Sequence, residues 1–187
     1  MTARQSIFTV GHSTRSIEEF SELLKAHGVE QVADVRLIPK SRRYPHFNSD
    51  EMIQWLARAG IAYLPMKDLG GRRHPRKDSV NLAWRNESFR GYADYMETEK
   101  FQAALEKLID AARRRTTAIM CAEAVPWRCH RSLIADALLA RGWRVLDLMS
   151  ATKAQEHKLT PFARLHGQHV TYPGEQTLFD AGSQSPR

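Results

Sequence analysis

Both cysteines of this chain lie in one short segment, Cys121-Ala122-Glu123-Ala124-Val125-Pro126-Trp127-Arg128-Cys129-His130-Arg131. Two thiols, a carboxylate, an imidazole and two guanidiniums within eleven residues are the raw material of a reactive or ligand-binding site. The residue types allow three chemistries. A helix starting near Cys129 would present free backbone N–H groups and its positive dipole end to an anion, with Arg128 and Arg131 adding donors. Cys121 or Cys129 could instead be a thiolate nucleophile, its pKa lowered by the same helix start and by neighbouring Arg or His. Cys121, Cys129 and His130, with His12, could also hold zinc, although the tight Cys-x-x-Cys pairs of structural zinc are missing, so no metal is expected. The plain alternative is a Cys121 that is only a small buried hydrophobe at a strand end.

Three further groups bear on the same question. Gly11-His12-Ser13-Thr14 reads as a strand-to-helix turn able to approach a ligand closely, with His12 as a candidate acid or base. It is not a full phosphate loop or dinucleotide fingerprint, and the chain has neither G-x-G-x-x-G nor G-x-x-x-x-G-K. Asp34 and Arg36 fall on one side of a strand by its two-residue period. They are either a structural ion pair or a working pair, in which Arg36 binds a carboxylate or phosphate and Asp34 or Glu123 is the base. Arg42, Arg43, Tyr44, His46 and Phe47 form one basic-aromatic patch, and Arg72, Arg73, His74, Arg76 and Lys77 a second basic stretch. Such mixtures suit phosphate contact with stacking on a base, or are solvated loops.

The elements that must position these groups follow from periodicity. Strands are expected over 6–11, 29–35, 61–64, 116–121 and 143–148. Between them, Ser16-Ile-Glu-Glu19 is a capping box opening a helix with Ile17, Phe20, Leu23 and Leu24 on one face and Gly28 as its stop. Ser49 is placed to cap a second helix, carrying Met52, Ile53, Leu56 and Ala57 and ending at Gly60. Residues 66–90 show no clear period, and a loop that long is usually functional or mobile. Tyr92 to Met96 reads as a helical turn. Phe101, Leu105, Leu108, Ile109 and Ala112 mark a longer helix closed by Arg113-Arg114-Arg115. Leu133, Ile134, Ala137 and Leu138 mark another, stopped by Gly142.

Strands alternating with helices predict a single three-layer α/β domain over residues 5–172, Rossmann-like, with a mainly parallel sheet and helices on both faces. Ligands in such sheets sit beyond the carboxyl ends of the strands. Gly11-His12-Ser13, Asp34-Val35-Arg36 and Cys121-Ala122-Glu123 all fall at that edge. A polar tail over 173–187 is expected to be disordered, with Gln176-Thr-Leu-Phe179 either a docking peptide or packed on the domain.

The 187 residues are 42% hydrophobic, ordinary for one globular domain. No apolar run reaches membrane-spanning length and the N-terminus lacks the apolar core of a secretory signal, so a cytoplasmic protein with free thiols is expected. With 28 Lys plus Arg against 21 Asp plus Glu, net charge is +7, which favours anionic partners: phosphates, nucleotides or nucleic acid.

Thr9-Val-Gly-His-Ser-Thr14, Ala33-Asp-Val-Arg36, Pro39 to Asn48, Asp68-Leu-Gly-Gly-Arg72, Phe89-Arg-Gly-Tyr-Ala-Asp-Tyr-Met96, and Cys121-Ala-Glu123 with Arg128-Cys-His-Arg-Ser-Leu-Ile-Ala135 together resemble the bacterial domain-of-unknown-function 488 family. The resemblance runs in order over residues 7–150. It implies a three-layer α/β domain sharing these polar motifs, and it implies no settled activity. The functional expectation is an enzyme or binding protein for a phosphate-bearing small molecule or nucleotide. Gly11, Ser13, His12, Arg36, Arg42, Arg43, Arg72, Arg128, His130 and Arg131 would surround the anion, with Glu123 or Asp34 as base and Cys121 or Cys129 as possible nucleophile. The alternative is a nucleic-acid-binding accessory protein, for example in DNA repair, using the basic loops. No cofactor and no oligomeric state can be read.

Overall fold

The computed structural model describes residues 5–174. The expected tail, including Gln176 to Phe179, lies almost wholly outside them. Five strands, β1 (Ser6–Gly11), β2 (Gln31–Asp34), β3 (Ala62–Pro65), β4 (Thr117–Cys121) and β5 (Arg144–Ser150), run parallel, and β6 (Lys153–Glu156) returns antiparallel to β5. Their order in the sheet is β3-β2-β4-β1-β5-β6. A separate hairpin joins β7 (Arg164–His166) to β8 (His169–Thr171).

The two periods of the sequence explain the layers. Every residue of β4 is buried, and alternate residues serve opposite faces. Ala118 and Met120 pack with α1 (Ile17–Ala26) and α2 (Ser49–Arg58) through Phe20, Leu24, Met52 and Leu56. Ile119 and Cys121 pack with α3 (Glu87–Met96), α4 (Glu99–Arg114) and α5 (Arg131–Ala140) through Tyr92, Phe101, Leu105, Leu133 and Ile134. The chain is thus a mixed α/β domain with helices on both faces of a mostly parallel sheet.

Helix α1 begins with the expected capping box: the Glu19 N–H donates to Ser16 Oγ at 3.1 Å and the Ser16 N–H to Glu19 Oε2 at 2.8 Å. It ends at Ala26, before Gly28 at φ +66°. Helix α2 differs from the expectation in its cap. Asn48, not Ser49, is the cap residue, and its side chain accepts instead from the Ser41 N–H at 2.6 Å, tying down the basic loop.

Two expectations fell short. The single turn at 92–96 is a ten-residue helix, α3, capped by Asn86. Gly91 hid it: glycine reads as a helix breaker, but a Cβ there would lie 2.3 Å from the Arg73 carbonyl oxygen, so the position is set by packing. Strands β6, β7 and β8 were not foreseen. All of β6 and β7 is exposed and carries no alternation to read.

The strand order decides where a site can form. From β1 and β2 the chain moves toward one edge of the sheet, and from β4 it moves toward the other. Right-handed crossovers then put α1 and α5 on opposite faces, which opens a crevice at the carboxyl ends of β1 and β4.

Candidate functional site

At that crevice three loops come together. The turn after β1 is sewn to the loop after β4: the His12 N–H donates to the Cys121 carbonyl at 2.9 Å and the Ser13 N–H to the Ala122 carbonyl at 3.0 Å. The Val35 N–H, after β2, donates to the Met120 carbonyl at 3.0 Å. This approach needs Gly11, whose missing Cβ would sit 1.9 Å from the Glu123 carbonyl oxygen. Ser13 (φ +51°) and Arg72 (φ +60°) are the non-glycine residues with left-handed backbone among those described, and both line the cleft. Strain of this kind persists only where surrounding structure enforces it.

The cleft has a volume of about 680 Å³. His12, Ser13, Arg36, Arg43, Arg72, Cys121, Glu123, Arg128, Cys129 and His130 line it. Of the other residues singled out in the sequence, Gly11 and Asp34 lie behind the wall, Arg42 is exposed outside it, and Arg131 is buried beneath Cys121. Lys40 and Phe89, from two of the motifs that carry the family resemblance, also line the cleft, as do Leu37, Ile38 and Ser88, which the sequence did not point to. Leu37 and Ile38 follow Arg36 directly, so continuing that motif past its charged residue would have found them.

Asp34 and Arg36 form a buried pair. Arg36 donates from Nε to Asp34 Oδ1 at 2.9 Å and from Nη2 to Oδ2 at 2.6 Å, and the Tyr63 hydroxyl donates to Oδ2 at 2.7 Å. Both lone-pair sides of the carboxylate are therefore committed inside the protein. The free fork of Arg36, Nη1, lies 3.3 Å from His12 Nε2. Arginine can only donate, so Nε2 is the acceptor, and the His12 proton sits on Nδ1, facing the Ser13 carbonyl at 3.0 Å. The neutral ring stacks on Phe47 at 4.1 Å. Burial, with Arg36 beside it, pushes the His12 pKa down to about 4.

The two thiols have opposite partners. Arg131 donates from Nη1 to Cys121 Sγ at 2.8 Å, where the sulfur accepts, and the same sulfur lies 3.8 Å from the Glu123 carbonyl, to which it donates when it is the neutral thiol. Cys129 Sγ lies 3.6 Å from His130 Nδ1. Nε2 of that ring faces the Val35 carbonyl at 3.1 Å and must donate, which leaves Nδ1 to accept from the Cys129 S–H. Burial pushes the His130 pKa down to about 4, in keeping with a neutral ring. Burial raises the Cys121 thiol, but a hydrogen bond from Cys129 and the Arg131 guanidinium outweigh this and hold it down at about 7, while that same hydrogen bond, burial and the Cys121 charge push Cys129 up.

Arg131 is 1% exposed. It donates to the Glu123 and Ala124 carbonyls, to Thr9 Oγ1 and to Cys121. Four of its five N–H donors are thus spent inside the protein. Behind it Thr9 donates to Asp147 Oδ1 at 2.5 Å, His157 bridges Asp147 and Asp136, and Tyr172 donates to Asp136 at 2.9 Å. This buried chain was missed in the sequence. Its signal was a carboxylate in an apolar strand (Asp147) and another in an apolar helix stretch (Asp136). Burial lowers His157, but the two carboxylates dominate and lift its pKa to about 9.

Among the described residues no three His, Cys, Asp or Glu side chains are arranged to hold a metal ion. The zinc arrangement of Cys121, Cys129, His130 and His12 is not assembled, and the outward nitrogen of His12, Nε2, faces the Arg36 guanidinium at 3.3 Å.

The family model for the domain of unknown function DUF488 matches residues 16–138. The chain belongs to the DUF488 family. The DUF488 match takes in the loop after β2, the Gly70-Gly71-Arg72 segment and the whole of 121–131, and so most of the cleft wall. The His12 turn stands just before it. No curated protein and no solved structure matches the chain.

Proposed function

We propose that the protein is an enzyme or binding protein for a phosphate-bearing small molecule, nucleotides included, held in the cleft at the carboxyl ends of β1, β2 and β4. One observation carries the reading. Lys40, Arg43, Arg72 and Arg128 line the cleft and none is in an ion pair among the described residues, whereas the lining holds a single carboxylate, Glu123. Four unneutralised cations around one concavity raise the local potential for an anion and supply donors of the right kind for phosphate. Leu37, Ile38, Tyr44 and Phe89 give the same cleft an apolar surface for the rest of a ligand. Glu123 is exposed and is the carboxylate placed to act as a base, since Asp34 is spent on Arg36 and Tyr63.

The test is calorimetric titration of the protein with inorganic phosphate and with a mononucleotide. Arg72→Ala and Arg128→Ala remove exposed cations without breaking an ion pair. Each is expected to weaken binding about tenfold or more, the loss of a charge-assisted hydrogen bond. Unchanged affinity in the double variant refutes the reading. Arg36→Ala is a poor probe, because it strands a buried carboxylate.

A nucleic-acid accessory role keeps one supporting observation: Lys40, Arg42 and Arg43 form an exposed basic rim. The second basic loop supports it less. Arg73 stacks over Tyr95 at 3.7 Å, and Arg76 pairs with Glu97 at 2.7 Å. Oligonucleotide binding that falls steeply with salt, with no mononucleotide binding, would favour this second reading.

A further inference from the structure

The Arg131 guanidinium poses an electrostatic problem. It is buried and cannot lose its proton, yet among the described residues it pairs with no carboxylate. Asp147 is separated from it by the Thr9 hydroxyl, and Asp147 itself faces His157. A buried cation without a counter-charge is costly. Among the described residues, the one ionisable side chain that accepts from this guanidinium is Cys121, at 2.8 Å. The arrangement is resolved if Cys121 is the anion of the pair. Cys129, beside it in the same wall, is held as the neutral thiol by His130 Nδ1. One thiolate and one thiol, both in the cleft wall and 3% and 6% exposed, make an attacking and a resolving group.

We propose that Cys121 and Cys129 form a redox-active dithiol that reduces hydroperoxides. The Cys121 thiolate attacks the terminal oxygen of the hydroperoxide; the S–O bond forms, the O–O bond breaks, and the leaving hydroxide or alkoxide takes a proton from solvent. Cys121 is then a sulfenic acid. Cys129 attacks its sulfur, the S–S bond forms and the S–O bond breaks. The departing hydroxide takes the Cys129 proton and leaves as water. The hydroperoxide gains two electrons and the dithiol loses two, which a thiol reductant restores. This activity shares the cleft with the proposed phosphate ligand but does not require it.

The experiment treats the full reduced chain with hydrogen peroxide at neutral pH, followed by intact mass and thiol alkylation. Wild type is expected to lose two hydrogen atoms in mass, to hide both thiols from alkylation, and to recover them with reductant. Cys129→Ser should stop one oxygen heavier, as a sulfenic acid trapped by a 1,3-dione. Cys121→Ser should be on the order of tenfold slower or worse, because the remaining thiol carries little thiolate. Equal slow oxidation of both thiols overturns the proposal, as does a wild type that reaches sulfinic acid without a disulfide. If a serine variant does not fold, the wild-type rate against pH decides. A rise centred near 7 supports the Arg131-held thiolate, and one centred near the ordinary thiol value of about 8.5 refutes it. Phosphate titration of the oxidised and reduced forms keeps this question apart from the ligand question.

Discussion

The Asp34–Arg36 pair shows how charged residues at the wall of a cleft can be spent on structure. Asp34 accepts from the Arg36 backbone N–H, from two side-chain donors of Arg36 and from Tyr63. Asp34→Asn leaves a buried guanidinium without its charge and is expected to cost about 3–5 kcal/mol. Tyr63→Phe removes one neutral donor from a satisfied carboxylate and should cost about 1 kcal/mol. Denaturant midpoints of the two variants separate these; similar values would mean that the ion pair is not what holds the β2 loop. The identities of these residues were legible in the sequence as either a structural or a working pair, and the geometry fills the structural half. Arg131 is the converse case. Its place beside two cysteines marked it for anion binding, but a sequence does not tell whether a guanidinium's donors face a ligand or the interior. Four inward hydrogen bonds, from residues as distant in the chain as Thr9, decide that only once the sheet is closed.

At the scale of elements, the legible parts are those where one local rule acts alone. β1, β4, α1 and α5 follow from period and punctuation, and the capping box of α1 is present as written. Ser16→Ala should cost about 1 kcal/mol, read as a lower melting temperature with the cleft unchanged. α3 was foreshortened because Gly91 obeys a tertiary demand, the close passage of the Arg73 backbone. Gly91→Ala improves intrinsic helix propensity by up to about 1 kcal/mol, yet the collision with backbone should make the protein less stable. A stabilised Gly91→Ala would show that α3 does not pack against the 70–76 segment as described. The β7–β8 hairpin was illegible for a different reason: three-residue strands give too few positions for any period to show.

For the whole molecule, buried titrating groups set a pH profile. His12 and His130 have folded pKa values near 4, below their ordinary value, so the stability they contribute is present above about pH 6.5 and is lost as pH falls toward 4. His157 is shifted upward, so its contribution, on the order of 3 kcal/mol, is complete below about pH 6.5 and is lost as pH rises through 9. Cys121 is shifted downward and contributes stability that grows between 7 and 9, against the His157 loss. Wild type should therefore change little over that interval, while Cys121→Ser should lose stability across it. Melting temperature against pH for the two proteins checks this; parallel curves would remove Cys121 from the balance. No helix among the described residues is long and apolar enough to cross a membrane.

The sheet order has a consequence for how the chain comes to be folded. β1 and β2 are made first, but they are not neighbours. The slot between them is filled by β4, whose last residue is 121. Until the ribosome has released that strand, both keep an open edge whose partner does not yet exist. A nascent chain stopped near residue 115 should therefore be protease-sensitive and prone to self-association, and protection should appear abruptly rather than element by element once β4 emerges. Cys121 is the last residue of that closing strand, so the cleft wall it belongs to cannot form before the sheet becomes continuous.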